Sequence, residues 1–362
     1  MTFPYYPPYN KALENLIERE CYWLKNKIVS LGNRKLVIFC SGPYARNFYG
    51  WLTQQGKDIE FFIDNNVALN ESEIEGKKCK LRPWEHIENF KDDYFVIIAS
   101  SAANYRQVQN QLDAEEISYI SSDSFQIVHY WEKCKQVIEF FDDDMSIITY
   151  LGCIYYFLTY NDSFLLCNDD HYFGIRQFYF PANEFICDAG AFVGDTIEEY
   201  VKRAFGSCRI VAFEPIAESK AALDLRVERL KSEWKLNDTA IQTVLAGVSD
   251  KSGVLHICDR GIGSMISTEG KTEIKVYTID DYFRDEHPTL IKADIEGEEM
   301  RMLKGSIEII KKYEPKLAIS IYHSIMDFVN IPEFIKKLNT NYKMAVRTHS
   351  LTYEDTVLYC WV

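Results

Sequence analysis

The stretch FICDAGAFVGDTIEEY, Phe185–Tyr200, decides the fold. An apolar run meets Asp188, two glycines follow four apart at Gly190 and Gly194, and acidic, helix-forming residues come next. A strand that ends on a glycine turn and enters a helix at Asp195 and Thr196 brings backbone N–H groups close to a ligand. A dinucleotide fold prefers G-x-G-x-x-G, which leaves room for a pyrophosphate against the helix N-terminus. Here the position two after Gly190 is the bulky Phe192, and Asp188 and Asp195 flank the loop. Two carboxylates repel a pyrophosphate and suit a ligand that carries an ammonium and a sulfonium. The electrostatics point to S-adenosylmethionine over NAD.

Downstream, the alternation of strand and helix continues. The segments EFICDAG, RIVAFEP, AIQTVLAGV, TLIKADIEG, KLAISIYH, YKMAVRTH and TVLYCWV read as strands. Helices fit DTIEEYVKRAF, IAESKAALDLRVERLK, EEMRMLKGSIEIIKKY and IPEFIKKLN. Only SLTYED separates the last two strands, which predicts a hairpin and a final strand antiparallel to the rest. Upstream, LVIF, IEFFID, DYFVIIASS and ISYIS alternate with helical segments, as a small parallel α/β domain does. Between the two domains the period is helical. Asp142–Asp144, just before an apolar run, read as a helix cap rather than a metal site. DDHYF, Asp169–Phe173, reads as a solvated loop.

The expected organisation is α/β: an arm and helix at 1–33, a small Rossmann-like domain at 34–122, a helical connector at 123–180 and a larger doubly wound domain at 181–362. In the small domain Asp64 lies 22 positions after Gly42, a spacing that allows ribose binding, but the loop lacks further glycines. Recognition of a nucleotide sugar and a scaffold or oligomerisation role both remain open there.

Composition narrows the partners. A net charge of −14, with no run rich in lysine and arginine, disfavours nucleic acid. No segment approaches ~18 uninterrupted apolar residues, so no membrane span is expected. The ten cysteines are scattered without a C-x-x-C pair, as suits buried thiols in a reducing, cytoplasmic setting. The aromatic arm FPYYPPY, residues 3–9, offers a surface for a neighbouring copy in a homo-oligomer.

Three further groups carry chemistry. Glu214 lies 24 positions after Gly190 at the end of the second strand, where such folds grip ribose hydroxyls. Asp294 and Glu296 share one side of a strand end by period two and face the same crevice. Glu298 reads as structural and Glu299 is left unassigned. His323 ends the fifth strand and is a candidate base for a substrate hydroxyl; a histidine bonded into the sheet edge is the competing reading. His349 is a weaker candidate on the same rim.

These motifs together resemble the FkbM-type S-adenosylmethionine-dependent methyltransferases, from about Phe180 to the C-terminus. The resemblance rests on DAGAFVGDT, AFEP, GIGSMIS followed by VYTIDDYF, IKADIEGEEMRMLKG and AISIYH. It implies a seven-stranded methyltransferase sheet with a reversed last strand, and O-methylation of a sugar, glycan or natural-product hydroxyl. It also implies that Asp188, Gly190, Gly194 and Glu214 hold the cofactor, while Asp294, Glu296 and His323 lie near the acceptor. Asp294 and Glu296 are hard oxygen ligands suited to Mg²⁺ or Ca²⁺, but no metal is assigned. The competing readings are an NAD(P)-dependent sugar-modifying oxidoreductase and a non-catalytic nucleotide-sugar-binding protein.

Overall fold

A computed structural model describes residues 7–258, 265–266 and 272–362. The start of the aromatic arm and most of the GIGSMIS motif therefore lie outside the described residues. The chain forms two compact units. One comprises Lys11–Glu132 with Ile154–Asp162, and the other Lys133–Cys153 with Ser163–Val362. The stretch 123–180, read as a connector, is thus divided between the two units.

In the N-terminal unit a six-stranded sheet has the order β3-β4-β2-β1-β5-β6. These strands are Lys35–Phe39 (β1), Phe62–Ile63 (β2), Glu73–Ile74 (β3), Lys77–Lys80 (β4), Tyr94–Ile98 (β5) and Tyr119–Ser121 (β6). Pairing is parallel except between β3 and β4. Four strands match the sequence reading; the β3–β4 hairpin was not anticipated, because KKCK carries no apolar pattern. Gly42 has an ordinary φ of −69° and open space around it. The left-handed residue is instead Cys40, at φ 83°. Asp64 accepts from the Ser41 hydroxyl at 2.6 Å and from the Asn66 N–H at 2.9 Å, so both of its oxygens serve the turn.

The C-terminal unit is built on a seven-stranded sheet. It holds Phe185–Ala189 (β7), Arg209–Phe213 (β8), Ile241–Val244 (β9), Leu290–Ala293 (β14), Lys316–Ser320 (β15), Lys343–Thr348 (β16) and Thr356–Trp361 (β17). The order is β16-β17-β15-β14-β7-β8-β9. β17 runs antiparallel to both β15 and β16, between which it is inserted. Every residue of β7, β14 and β17 is buried, as strands covered on both faces require.

Between β9 and β14 the chain forms a second, four-stranded sheet: Gly247–Val248 (β10), Gly253–Cys258 (β11), Met265–Ile266 (β12) and Thr272–Tyr277 (β13). AIQTVLAGV, read as one strand, therefore breaks after Val244 and feeds both sheets. Of the three aspartates, one caps a helix. Asp143 accepts from the Ser146 N–H at 2.7 Å at the start of the Asp144–Thr159 helix. Among the described residues no helix is long and apolar enough to cross a membrane.

Candidate functional site

The glycine turn after β7 is shaped by the protein itself. Gly190 sits at φ +77°, and a β-carbon there would meet the Asp294 carbonyl oxygen at 1.9 Å. Gly194, at φ +82°, precedes the Asp195–Arg203 helix and packs on Leu223. The turn's amides are bonded internally. Gly190 and Ala191 donate to the Phe213 carbonyl at 3.1 and 3.0 Å. Phe192 donates to Glu214 at 2.9 Å, and Gly194 to the Ala191 carbonyl at 2.8 Å. The expectation that these N–H groups face a ligand is corrected accordingly. A pyrophosphate would find those four donors already engaged.

A cavity of about 370 Å³ opens beside this turn. Gly190, Phe192, Asp195, Thr196 and Glu214 line it on the β7–β8 side, and Asp294, Glu296 and Asp355 on the other. Asp188 is not on this surface. It is fully buried and forms an ion pair at 3.0 Å with Lys292, which is also buried. The two are directly opposed on the parallel strands β7 and β14. Lys292 also donates to the Gly190 carbonyl at 2.7 Å, tying the turn to its neighbour strand. Burial works against the ammonium charge, but Asp188 and Asp294 outweigh it and raise the lysine pKa. Lys292 was missed in the sequence. Its signal was a lysine inside an otherwise apolar strand, which calls for a buried counter-charge.

Glu214 is 5% exposed and accepts from the Phe192 N–H at 2.9 Å and the Ile216 N–H at 2.8 Å, one to each oxygen. Burial raises its pKa despite these bonds. Each carboxylate oxygen keeps a lone pair for a further donor.

On the opposite wall Asp294 accepts from the Tyr172 hydroxyl at 2.6 Å and the Tyr322 hydroxyl at 3.1 Å. Burial opposes its ionisation, but Lys292, His323 and the two tyrosines hold its pKa below the usual carboxylate range. His323 lies among three acids: Asp294 at 3.5 Å, Glu296 at 3.7 Å and Glu299 at 3.2 Å. Burial lowers its pKa, yet the acids prevail and push it up to about 9. At neutral pH the ring is then an imidazolium without a free lone pair, which runs against the expected role as base. Glu299, left unassigned in the sequence, is wholly buried and accepts from the Ile295 N–H at 2.7 Å. Glu298 pairs with Arg301 at 3.1 Å, and its residue also lines the cavity.

DDHYF is a solvated loop only at its two aspartates, Asp169 and Asp170, which are exposed. Tyr172 is buried, and His171 lines the cavity while stacking on it at 3.9 Å. Burial, then the neighbouring His349, lower the His171 pKa to about 4, so this ring is neutral. His349 has both nitrogens engaged, with the Asn168 carbonyl at 3.0 Å and the Tyr359 hydroxyl at 2.8 Å. Its place is structural.

Residues 188–344 match the family model described as the methyltransferase FkbM domain. The whole structure is similar to that of a methyltransferase FkbM from Methylobacillus flagellatus KT, with a TM-score of 0.61 and 18% identity, covering 97% of this chain and 100% of that one. At that identity the likeness speaks for the fold. A precorrin-6y C5,15-methyltransferase from Geobacter metallireducens GS-15 aligns at a TM-score of 0.32 and 13% identity, over 50% of this chain and 81% of that one. No curated protein matches the sequence. The match to the methyltransferase FkbM domain thus covers most of the seven-stranded sheet and most of the residues that line the cavity.

Proposed function

We propose that this chain transfers a methyl group from S-adenosylmethionine to a hydroxyl of a sugar, glycan or natural-product acceptor. The observation that carries the reading is the cavity beside the glycine turn. It is acidic, has Glu214 at the end of β8, and its turn amides are already bonded. Such a lining fits a cationic nucleoside and disfavours a pyrophosphate.

When bound, the cofactor supplies an electrophilic methyl whose C–S bond breaks as the acceptor oxygen forms the new C–O bond, leaving a thioether and a proton. Glu214 accepts ribose hydroxyls through its remaining lone pairs. Charge-assisted bonds of this kind contribute ~1.5–3 kcal/mol each. Asp195 and Thr196 bound the cofactor end at the helix start. Asp294 and Glu296 face the acceptor, and one of these carboxylates takes the hydroxyl proton. Tyr172 and Tyr322 hold Asp294 in place.

Thermal unfolding with S-adenosylhomocysteine or NADH tests the cofactor. A ligand at ~100 times its dissociation constant adds ~2.7 kcal/mol of stability. Stabilisation by S-adenosylhomocysteine alone is expected; stabilisation by NADH alone overturns the reading. Labelled methyl transfer to a panel of nucleotide sugars and polyols then tests the acceptor class, and transfer only to nitrogen nucleophiles would reject O-methylation.

A further inference from the structure

Behind the acceptor wall, the Glu299 carboxylate is wholly buried, and its Oε2 has no hydrogen-bond partner. Both ring nitrogens of His323 are likewise buried and without a hydrogen bond, and the side chain is only 10% exposed. Asp294 completes the group. One ligating atom each from Asp294, Glu299 and His323 can be chosen so that all lie within 4.8 Å of one another. Glu296 stands 3.7 Å from the same ring.

We propose that Asp294, Glu299 and His323 form a binding site for one divalent cation of the Mn²⁺ or Mg²⁺ class. Two carboxylates and one imidazole converge there, an oxygen-rich donor set with one borderline nitrogen. Buried carboxylate charge needs a counter-ion; in the ion-free site a protonated His323 supplies it, and the dication would take that place as the ring proton leaves to solvent. The fold brings the ligands together from separate places: Asp294 just beyond β14, Glu299 in the first turn of the Glu299–Lys304 helix, and His323 shortly after β15. These are the carboxyl ends of neighbouring parallel strands, where ligands of open α/β sheets gather.

Asp294 also lines the cavity, so the ion sits within the wall the acceptor would touch. An open coordination position there would bind the acceptor hydroxyl and ease its deprotonation. That role rests on the methyltransferase reading; ion binding does not, and it can be measured alone.

The test is a Mn²⁺ titration of the chelator-treated full chain, with free Mn²⁺ followed by electron paramagnetic resonance. One Mn²⁺ per chain is expected. Glu299→Gln and His323→Gln should each weaken binding about tenfold or more, while Glu233→Gln on the surface leaves it unchanged. No binding at millimolar Mn²⁺ overturns the proposal, because His323 in its protonated form then balances the acids by itself. So does binding that both cluster variants leave untouched. Should either substitution unfold the chain by circular dichroism, Asp294→Asn reads the same site from the cavity side. A parallel calorimetric titration with S-adenosylhomocysteine separates the two ideas. Mn²⁺ binding without nucleoside binding refutes the methyltransferase reading alone; nucleoside binding without Mn²⁺ binding refutes the ion site alone.

Discussion

Gly190 and the Asp294 carbonyl meet so closely that no β-carbon fits between them: it would lie 1.9 Å from the oxygen. The exits of β7 and β14 therefore converge on one point, and the turn lies flat against its neighbour strand. This contact brings the two halves of the cavity lining together, since Gly190 and Asp294 both face it.

Gly190→Ala should destabilise the protein by about 2–5 kcal/mol, from a left-handed backbone angle plus a backbone clash that no rotamer relieves. At Gly194 the added carbon would meet the Leu223 Cδ1 atom at 2.7 Å, the tip of a side chain that can turn away. Gly194→Ala should then cost only about 1–2 kcal/mol. Urea denaturation of both variants checks the order; equal losses would show that the Asp294 carbonyl yields.

Glu214→Ala should weaken S-adenosylhomocysteine binding about ten- to a hundred-fold, the worth of ~1.5–3 kcal/mol of hydrogen bonding. Because burial raises the Glu214 pKa, acidification should protonate it at a higher pH than an ordinary glutamate. Affinity is full above that raised pKa and falls as pH drops through it, since a protonated oxygen no longer accepts from the ribose. Calorimetry across pH should show this acid limb in the native chain and its loss in Glu214→Gln.

Asp143 gives a stability prediction of definite sign. Burial works against its charge, but Arg347 at 3.0 Å and the Ser146 N–H and hydroxyl hold its pKa below the usual value. A carboxylate depressed in the folded state stabilises above its unfolded pKa, and that stability is lost as pH falls through the folded pKa. Asp143→Asn keeps a capping oxygen but loses the charge. It should lower stability at pH 7 and flatten the acid side of the stability profile, as denaturant midpoints at pH 2–7 would show. An unchanged profile would mean that Arg347 pairs no more strongly here than in the unfolded chain.

The central strands of the large sheet could be read in the sequence because strands buried on both faces appear as apolar runs, whereas the half-exposed β9 was read too long. The reversed last strand followed from a linker too short for a crossover. Its insertion between β15 and β16 did not, since pairing order is decided by contacts between distant segments. The same limit hid the site's inner layer. Asp188 was visible as an acid at a strand end, but only the register of β7 against β14 shows that Lys292 neutralises it. Glu299 looked like a helix-start acid until His323 arrived from beyond β15. His171 sits in a polar pentapeptide, and nothing local marks it for burial against Tyr172.

The Asp188–Lys292 pair offers the sharpest separation between stability and function. Both groups are buried: losing Lys292 leaves the Asp188 carboxylate without its cation, and losing Asp188 leaves Lys292 with Asp294 alone, a cost of up to about 3–5 kcal/mol. Lys292→Met and Asp188→Asn should each show a loss of that order in denaturant unfolding. Removing both charges together removes the uncompensated partner, so the double variant should be less destabilised than the sum of the single ones by more than about 1 kcal/mol. Lys292 also holds the Gly190 carbonyl at 2.7 Å. The double variant should therefore recover stability yet bind S-adenosylhomocysteine more weakly than the native chain, its turn no longer anchored. Strictly additive losses would show that the two charges do not depend on each other. Native affinity in the double variant would show that the turn keeps its shape without the lysine.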